Sequence, residues 1–287
     1  MSVTIIITIL CLVILSLTSA VILFFVAQKF KVFEDPRIDV IQELLPAANC
    51  GGCGFAGCRN FAEALVNAET FEGLNCPVGG ASVMEEAARV LDKTAPPVDP
   101  TVAVLLCNGT PEFRIKTSRY DGVSDCRIIS SLYIGETECA FGCLGSGDCV
   151  RACSFDAMYM NKETGLPVIL DDKCVSCGAC VKACPRNLIE LRKKARKDRK
   201  IYVACSNCDK GGPARKACKV ACIGCNKCVR VCEFDAITID NNLAYIDASK
   251  CTFCRKCVTE CPTDAILEYN FPPRKPKAEL QTELISE

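Results

Sequence analysis

The sequence contains no histidine and no tryptophan among its 287 residues. Without histidine the chain cannot form a Rieske centre or a histidine-ligated haem, and histidine-based acid–base catalysis is excluded as well. A Gly-x-Gly-x-x-Gly segment after a strand and a P-loop are also missing, so we find no nucleotide-binding motif. The formal net charge is zero, and no global basic character points to nucleic acid as a partner.

Cysteine, by contrast, is abundant, with 26 residues. Such a number indicates either the disulfide framework of a secreted protein or metal ligation in a reducing compartment. The spacing of the cysteines, described below, favours metal ligation.

The N-terminal segment has the composition of a membrane helix. Residues 3–28 carry no charge and are almost wholly apolar. About 20 such residues span a bilayer as a helix, so we predict a transmembrane anchor over residues 1–28. A cleavable signal peptide is the alternative, but no basic segment precedes the run and no clean cleavage site follows it. Lys29 and Lys31 follow directly, and by the positive-inside rule they place the rest of the chain on the cytoplasmic side of the cell (inner) membrane.

Four closely placed cysteines follow the anchor, namely Cys50, Cys53, Cys58 and Cys76. The glycines between them let the backbone wrap a bulky inorganic core, and a helix predicted over residues 59–68 returns the chain toward the fourth cysteine. We predict a [4Fe-4S] site in a domain of residues 33–92, with a four-cysteine zinc site as the alternative. Residues 93–101 are rich in proline and are expected to form a linker.

The rest of the chain contains an internal repeat of cysteines. Five cysteines recur 79 residues later, and four more recur 77 residues later. Three stretches have the form Cys-x2-Cys-x2-Cys-x3-Cys, beginning at Cys174, Cys222 and Cys251. This is the run found in two-cluster bacterial ferredoxins, in which the fourth cysteine ligates the other cluster. We expect the first three cysteines of each run to lie on one tight loop and the fourth to begin a short helix, followed by a turn and a short strand.

These patterns predict an α+β fold. It consists of a single N-terminal transmembrane helix, a small four-cysteine Fe-S domain and tandem two-cluster bacterial-ferredoxin-like modules. The modules are predicted at residues 102–190 and 201–270, with a basic connector at 191–200 between them and a mobile tail at 271–287. The connector carries seven basic residues. It is either a landing site for an acidic ferredoxin or a solvated helical connector, and the sequence leaves both interpretations open.

The cross-ligation rule assigns cysteines to clusters. In the second module the predicted sets are Cys222, Cys225, Cys228 with Cys261, and Cys251, Cys254, Cys257 with Cys232. In the first module one predicted set is Cys174, Cys177, Cys180 with Cys153.

The remaining cluster of the first module lacks one regular ligand, because Ser146 stands where the second repeat has a cysteine. Cys143, Cys149 and Cys184 align with the repeat, and Cys139 is the expected fourth ligand. A three-iron cluster and ligation by serine are the alternatives. With this set the sequence predicts at least five [4Fe-4S] clusters.

Five cysteines of the soluble part remain unassigned, namely Cys107, Cys126, Cys205, Cys208 and Cys218. The last three, together with another cysteine, are candidates for a sixth cluster, to which either of the first two could contribute. Buried thiols or a zinc site are the alternative.

The order of anchor, four-cysteine domain and ferredoxin runs resembles the B subunit of the Rnf complex, an ion-translocating ferredoxin:NAD oxidoreductase. The specific parts are Cys50-Gly-Gly-Cys53-Gly-x2-Gly-Cys58 behind a single spanning helix, and the runs that follow. With two ferredoxin-like modules, the chain resembles the long form of that subunit.

The resemblance implies an electron-relay subunit of a redox-driven translocase, with no complete catalytic site on this chain. It implies that electrons arrive one at a time from reduced ferredoxin and pass to integral-membrane and flavin-containing subunits. A membrane-tethered polyferredoxin, or a reductase component that is not coupled to ion pumping, is the alternative function.

Overall fold

A computed structural model describes residues 2–29, 35–95, 97 and 99–273. It begins with helix α1, Ser2–Lys29, which is long and apolar enough to cross a membrane and has no buried residues in its most apolar window. Three polar side chains on α1, those of Thr8, Ser16 and Thr18, are compatible with lipid, because their hydroxyl groups donate hydrogen bonds to the helix's own carbonyl oxygens. Thr18 Oγ1, for example, lies 2.9 Å from the carbonyl oxygen of Ile14. The predicted tail from residue 274 onward lies outside the described residues.

A small helical domain follows. Its helices are α2 (Arg37–Leu44), α3 (Cys58–Asn67) and α4 (Gly80–Val90). Their apolar faces share one core in which Ile41, Phe61, Leu65 and Met84 are fully or almost fully buried. The helix predicted over residues 59–68 is therefore confirmed as α3.

The end of this domain is fixed by a lysine. The ammonium group of Lys93 donates to the carbonyl oxygens of Leu65, Val66 and Ala68, at distances of 2.5 to 3.0 Å. These carbonyls lie at the C-terminus of α3, where a positive charge is favourable and where helix carbonyls lack internal partners. The packed domain thus extends to Lys93, the first residue of the predicted linker.

The first ferredoxin-like module consists of two antiparallel strand pairs and short helices. In chain order its elements are β1 (Thr101–Leu105), α5 (Cys126–Leu132), α6 (Asp148–Arg151), β2 (Met158–Met160), β3 (Pro167–Ile169), α7 (Ala179–Ala183) and β4 (Ile189–Lys193). The first strand pairs with the last, in the register Thr101↔Lys193 to Leu105↔Ile189. The middle strands β2 and β3 form a hairpin.

The second module repeats this plan. A short 3-10 segment, Arg196–Asp198, leads into β5 (Lys200–Val203), α8 (Gly211–Ala217), α9 (Lys227–Arg230), β6 (Ile237–Asp240), β7 (Leu243–Ile246), α10 (Lys256–Glu260) and β8 (Ile266–Tyr269). Strands β5 and β8 pair as the outer ribbon, and β6 and β7 form the hairpin. The α+β fold predicted from the sequence is confirmed.

The two modules are joined where their first strands end. The amide of Asn108 donates to the carbonyl oxygen of Ala204 at 3.0 Å, and Ser206 Oγ donates to the carbonyl oxygen of Leu106 at 3.1 Å. Buried Val104 belongs to the same apolar cluster as Ala204. The segment after β1 therefore lies against the segment after β5.

The helices in the cysteine runs differ from the sequence prediction. In each regular run the third cysteine lies inside the short helix, and Cys184 and Cys261 stand at the C-caps of α7 and α10. The fourth cysteine thus follows the helix, whereas we expected it to begin one. A left-handed residue, such as Gly178 before α7, starts each of these helices and turns the loop into it. The expected turns and strands are confirmed, with Asp156 and Asp235 at positive φ just before β2 and β6.

The basic connector is not a helix. Its first residues belong to β4, its middle is the 3-10 segment, and Lys200 begins β5. Arg192 is buried, with its guanidinium centre 5.0 Å from the ring centroid of Tyr245. Lys200 forms an ion pair of 2.6 Å with Asp171. The interpretation as a solvated helical connector is therefore wrong, because several of these cations serve the packing between strands.

Candidate iron–sulfur sites

The cysteines of the helical domain surround one cavity, which we call site 1. Its thiols are Cys50, Cys53, Cys58 and Cys76. Helix α3 starts at Cys58, whose amide is held by Asn49 Oδ1 at 2.9 Å, and the amide of Gly79 lies 3.4 Å from the sulfur of Cys76. Burial raises the pKa of the Cys76 thiol. The structure thus brings together all four cysteines that the sequence assigned to this domain.

A second cavity, site 2, lies in the first module at the base of α7. Its thiols are Cys153, Cys174, Cys177 and Cys180. Burial, followed by the charges of Cys174, Cys177 and Cys153, raises the pKa of the Cys180 thiol to about 11. This is the set that cross-ligation predicts.

Site 3 contains the irregular run of the first module. Its thiols are Cys126, Cys143, Cys149 and Cys184. Cys139, which the sequence assigned here, does not line this cavity and lies in the next one. In its place the first residue of α5, Cys126, faces the site. Burial, with smaller contributions from Cys184 and Cys126, raises the pKa of Cys149 to about 12.

The position of Cys126 is fixed by the residues around the missing ligand. Burial raises the pKa of the Cys126 thiol, and the backbone of Asp148 and the backbone and hydroxyl of Ser146, which lie beside it, oppose this rise. In return, the amide of Cys126 lies 3.0 Å from both carboxylate oxygens of Asp148. Asp125 caps α5 through the amides of its first turn. Cys126 therefore occupies the side of the cavity that Ser146 leaves without a thiol.

Site 4 lies at the joint between the modules and takes two thiols from each. They are Cys107 and Cys139 from the first, and Cys205 and Cys218 from the second. Burial raises the pKa of Cys205 to about 12. Asn207, which is 1% exposed, donates from its backbone to the sulfur of Cys205 and from Nδ2 to the sulfur of Cys139.

Sites 5 and 6 occupy the second module. Cys228 has Cys222, Cys225 and Cys261 near it, and we call these four thiols site 5. Cys257 has Cys232, Cys251 and Cys254 near it, and we call these four site 6. Burial, followed by the charges of the other three thiols of site 5, raises the pKa of Cys228 to about 11. The pKa of Cys257 rises to about 12 through burial and the charges of several neighbouring thiols, with Cys251 and Cys254 the largest. These groups agree with the cross-ligated sets.

The surroundings of these sites fit a cluster better than a single ion. The cavities at sites 1 to 4 have mostly apolar walls. A zinc ion needs four sulfurs about 2.3 Å from one point, and among the described residues no such compact group of ligands is found. Backbone amides that point at sulfur, such as Leu188 N to Cys184 Sγ at 3.3 Å, are the outer-shell contacts that tune iron–sulfur clusters.

The raised pKa values also have a chemical consequence. Thiols with a pKa of 11 to 12 are protonated at neutral pH, whereas metal ligation requires the thiolate. Insertion of a cluster must therefore release protons from these buried groups. The cluster, when bound, supplies one-electron redox chemistry, and the protein supplies ligation, spacing and hydrogen bonds.

Comparison with known proteins follows the same division of the chain. Residues 45–78 match an Fe-S cluster family, and residues 138–189 and 221–265 each match a 4Fe-4S dicluster domain family. The B subunit of the proton-translocating ferredoxin:NAD(+) oxidoreductase complex of Clostridium ljungdahlii is 40% identical over 248 residues, covering 86% of each chain. The Na(+)-translocating counterpart of Acetobacterium woodii is 40% identical over 78% of this chain and 66% of its own length. The chain belongs to the family of Rnf complex B subunits.

A third relative of this B-subunit family comes from Methanosarcina acetivorans. It is the B subunit of an ion-translocating oxidoreductase complex, and it is 40% identical over 81% of the present chain and 86% of its own length. The resemblance inferred from the cysteine order is thus confirmed. The protein is an iron–sulfur electron-transfer subunit of a multisubunit, ion-translocating oxidoreductase, and its N-terminal helix fits a membrane anchor.

Three cysteines of this protein, Cys107, Cys126 and Cys208, were placed less well by sequence reasoning. Cys107 follows β1 as Cys205 follows β5, so the shared position after an apolar strand was a usable signal. The 79-residue repeat instead aligned Cys205 with Cys126, which lies in site 3. Cys208, a candidate for the sixth cluster, does not line site 4. Its thiol donates a hydrogen bond to the carbonyl oxygen of Ser206.

Proposed function

We propose that this protein accepts electrons one at a time from reduced ferredoxin and relays them through six [4Fe-4S] clusters to membrane-embedded and flavin-containing partner subunits. Each of sites 1 to 6 holds one cluster through its four thiolates. Cys126 replaces Cys139 in the ligand set of site 3, and Cys139 joins Cys107, Cys205 and Cys218 in site 4. The cluster domains lie on the cytoplasmic side of the membrane, as the lysines after α1 indicate.

The observation that carries this proposal is the continuity of the sites. Cys177 of site 2 lies within electrostatic range of Cys50 of site 1. In the same way, the charge of Cys180 in site 2 contributes to the raised pKa of Cys149 in site 3. The amide of Cys143 in site 3 then lies 3.5 Å from the sulfur of Cys107 in site 4.

The series continues through the second module. Cys205 of site 4 packs against the apolar cluster that contains Cys222 of site 5. The charge of Cys228 in site 5 contributes to the raised pKa of the Cys257 thiol in site 6. Each site thus lies next to the following one, from site 1 to site 6, and electrons can pass from site to site along this row.

The row has an accessible end at site 6. Among the described residues outside α1, Cys254 is the one exposed cysteine. The basic connector, residues 191–200, lies close to site 6. Arg199 of the connector and Arg255, which is next to Cys254, both lie over the ring of Phe271, at 5.2 and 5.0 Å from its centroid. Positive charge around an exposed cluster favours an acidic ferredoxin. We therefore place electron entry at site 6 and transfer to the membrane partners at site 1, which follows the anchor.

Metal analysis of anaerobically purified full-length protein tests the ligand sets. We expect four iron atoms and four sulfides for each of the six sites. Cys218→Ser should lose the iron of one site, while the matched control Cys208→Ser should keep the full iron content, because Cys208 lies outside every set. Stoichiometric zinc, or cystine bridges without iron, would contradict the proposal.

The relay itself is tested by mixing the loaded protein with reduced ferredoxin. We expect cluster reduction that slows as salt is added, because charge steers the encounter. The intact complex in vesicles should show ion-dependent electron transfer from ferredoxin to NAD that is lost without this subunit. Full activity of the isolated chain, with no effect of the other subunits, would instead favour an uncoupled polyferredoxin.

A further inference from the structure

The helical domain touches the first module through a glycine of its cysteine loop. Gly52 lies between Cys50 and Cys53 of site 1, and a Cβ atom at this position would stand 2.9 Å from the carbonyl oxygen of Cys177 and 3.0 Å from its Cα. Both of these atoms are backbone atoms of a cysteine in site 2. Carbon atoms normally meet at about 3.5–4.0 Å, so only glycine allows the two loops to approach this closely.

The loop that receives Gly52 is held in place. Ser176, next to Cys177, adopts a left-handed conformation with φ of 58°. Its hydroxyl donates to the carbonyl oxygen of Thr101 at 2.5 Å, and Thr101 Oγ1 donates back to Ser176 Oγ at 2.7 Å. Because Thr101 begins β1, the loop is tied to the outer ribbon of the module. A side chain at position 52 would therefore displace the helical domain and not this loop.

We propose that Gly52 is a positioning residue for the electron step between site 1 and site 2. This inference rests on the proposed function, since it requires a cluster in each site. In the step, one electron leaves the reduced cluster of site 2 and reduces the oxidised cluster of site 1, and no atom or proton needs to move. The rate of electron transfer falls steeply with the distance between the two clusters. A methyl group at position 52 would hold the two loops farther apart and would therefore slow the transfer.

The test must separate the contact from effects inside the helical domain. A Cβ at Gly52 would also stand 2.8 Å from Cγ of Pro77, which belongs to the same domain. The double variant Gly52→Ala with Pro77→Ala removes this internal collision and retains the collision with Cys177. Pro77→Ala alone is the matched control.

Three measurements on the complete, cluster-loaded chain are needed. Iron content shows that all sites are filled. Low-temperature EPR of the fully reduced protein reports the magnetic interaction between sites 1 and 2, identified as the part of the spectrum that Cys76→Ala removes. Rapid-mixing experiments with reduced ferredoxin report the time at which site 1 becomes reduced.

We expect the double variant to keep the iron content, to weaken the magnetic interaction and to delay the reduction of site 1 while sites 2 to 6 are reduced as before. The control Pro77→Ala should match the wild-type protein in all three measurements. An unchanged interaction and an unchanged reduction of site 1 in the double variant would overturn the inference. Failure of the proposed function is recognised separately, because the wild-type protein would then lack iron.

Discussion

A single serine explains the most irregular site in the molecule. Ser146 occupies the place of Cys225 in the repeat, and it lies beside Cys126, which reaches the cavity from α5. A thiolate binds iron more strongly than a serine hydroxyl does, so a cysteine that lies against the serine is the natural replacement. In the ligand set that we propose, the fourth thiol of site 3 therefore comes from outside the regular run.

Exchange of these residues makes the assignment testable. Cys126→Ser should leave site 3 with three thiolates and convert its cluster to a three-iron form, which low-temperature EPR of the oxidised protein detects. Adding Ser146→Cys to Cys126→Ser should restore the four-iron cluster, because the regular spacing of the run is then complete.

The matched comparison is Cys139→Ser, which we expect to alter site 4 and leave the signal of site 3 intact. The assignment would be wrong if Cys126→Ser kept a four-iron site 3, or if Cys139→Ser produced the three-iron signal from it.

At the scale of elements, the regular parts of the fold followed from local patterns. The Cys-x2-Cys-x2-Cys-x3-Cys runs, helix α3 and the strands after Asp156 and Asp235 are encoded by neighbouring residues, and they were predicted. The places of Cys107 and Cys126 were left open, because sites 3 and 4 form only when segments far apart in sequence pack together. Repeat spacing was a poor guide there, since the segment between β1 and the first run is longer than its counterpart after β5.

The basic connector shows in the same way that the composition of a segment does not determine where its side chains lie. Arg192 is 5% exposed, pairs with Glu190 at 3.3 Å and stacks on Tyr202 and Tyr245. The hydroxyl of Tyr245 donates to Glu190 at 2.7 Å, which connects β7 of the second module to β4 of the first. A residue that looked like part of a docking surface therefore stabilises the contact between the modules.

Alanine variants in this segment should accordingly have different effects. Arg192→Ala should destabilise the protein by about 1–3 kcal/mol, because it removes packed cation–π contacts and leaves Glu190 without its cation. Lys197→Ala should change stability by less than about 0.5 kcal/mol, since this side chain is exposed. Urea titration followed by cluster absorbance measures both changes.

The same pair of variants also tests the docking hypothesis. Lys197→Ala should weaken the salt dependence of reduction by ferredoxin without lowering the urea midpoint. If Arg192→Ala were as stable as the wild type, its role between the modules would be refuted. An unaltered salt dependence in Lys197→Ala would remove this lysine from the entry surface.

For the whole molecule, the anchor and the cluster-bearing body are separate in their packing. Helix α1 buries none of its apolar window against the rest of the described chain. Deletion of residues 1–29 should therefore yield a protein that stays in solution without detergent and retains the wild-type iron content per chain. Ultracentrifugation with membranes and iron analysis measure the two properties. A loss of iron on truncation would show that the anchor contributes to a cluster site.

Site 4 makes the two repeats of this chain depend on each other. Each repeat brings only two of its four thiols, so a repeat expressed by itself would be left with an unfinished half-site and two reactive sulfurs at an open surface. Such halves would be prone to oxidation and cross-linking. Because the two copies share this site, loss or replacement of either one would also break up the half-site that the other contributes.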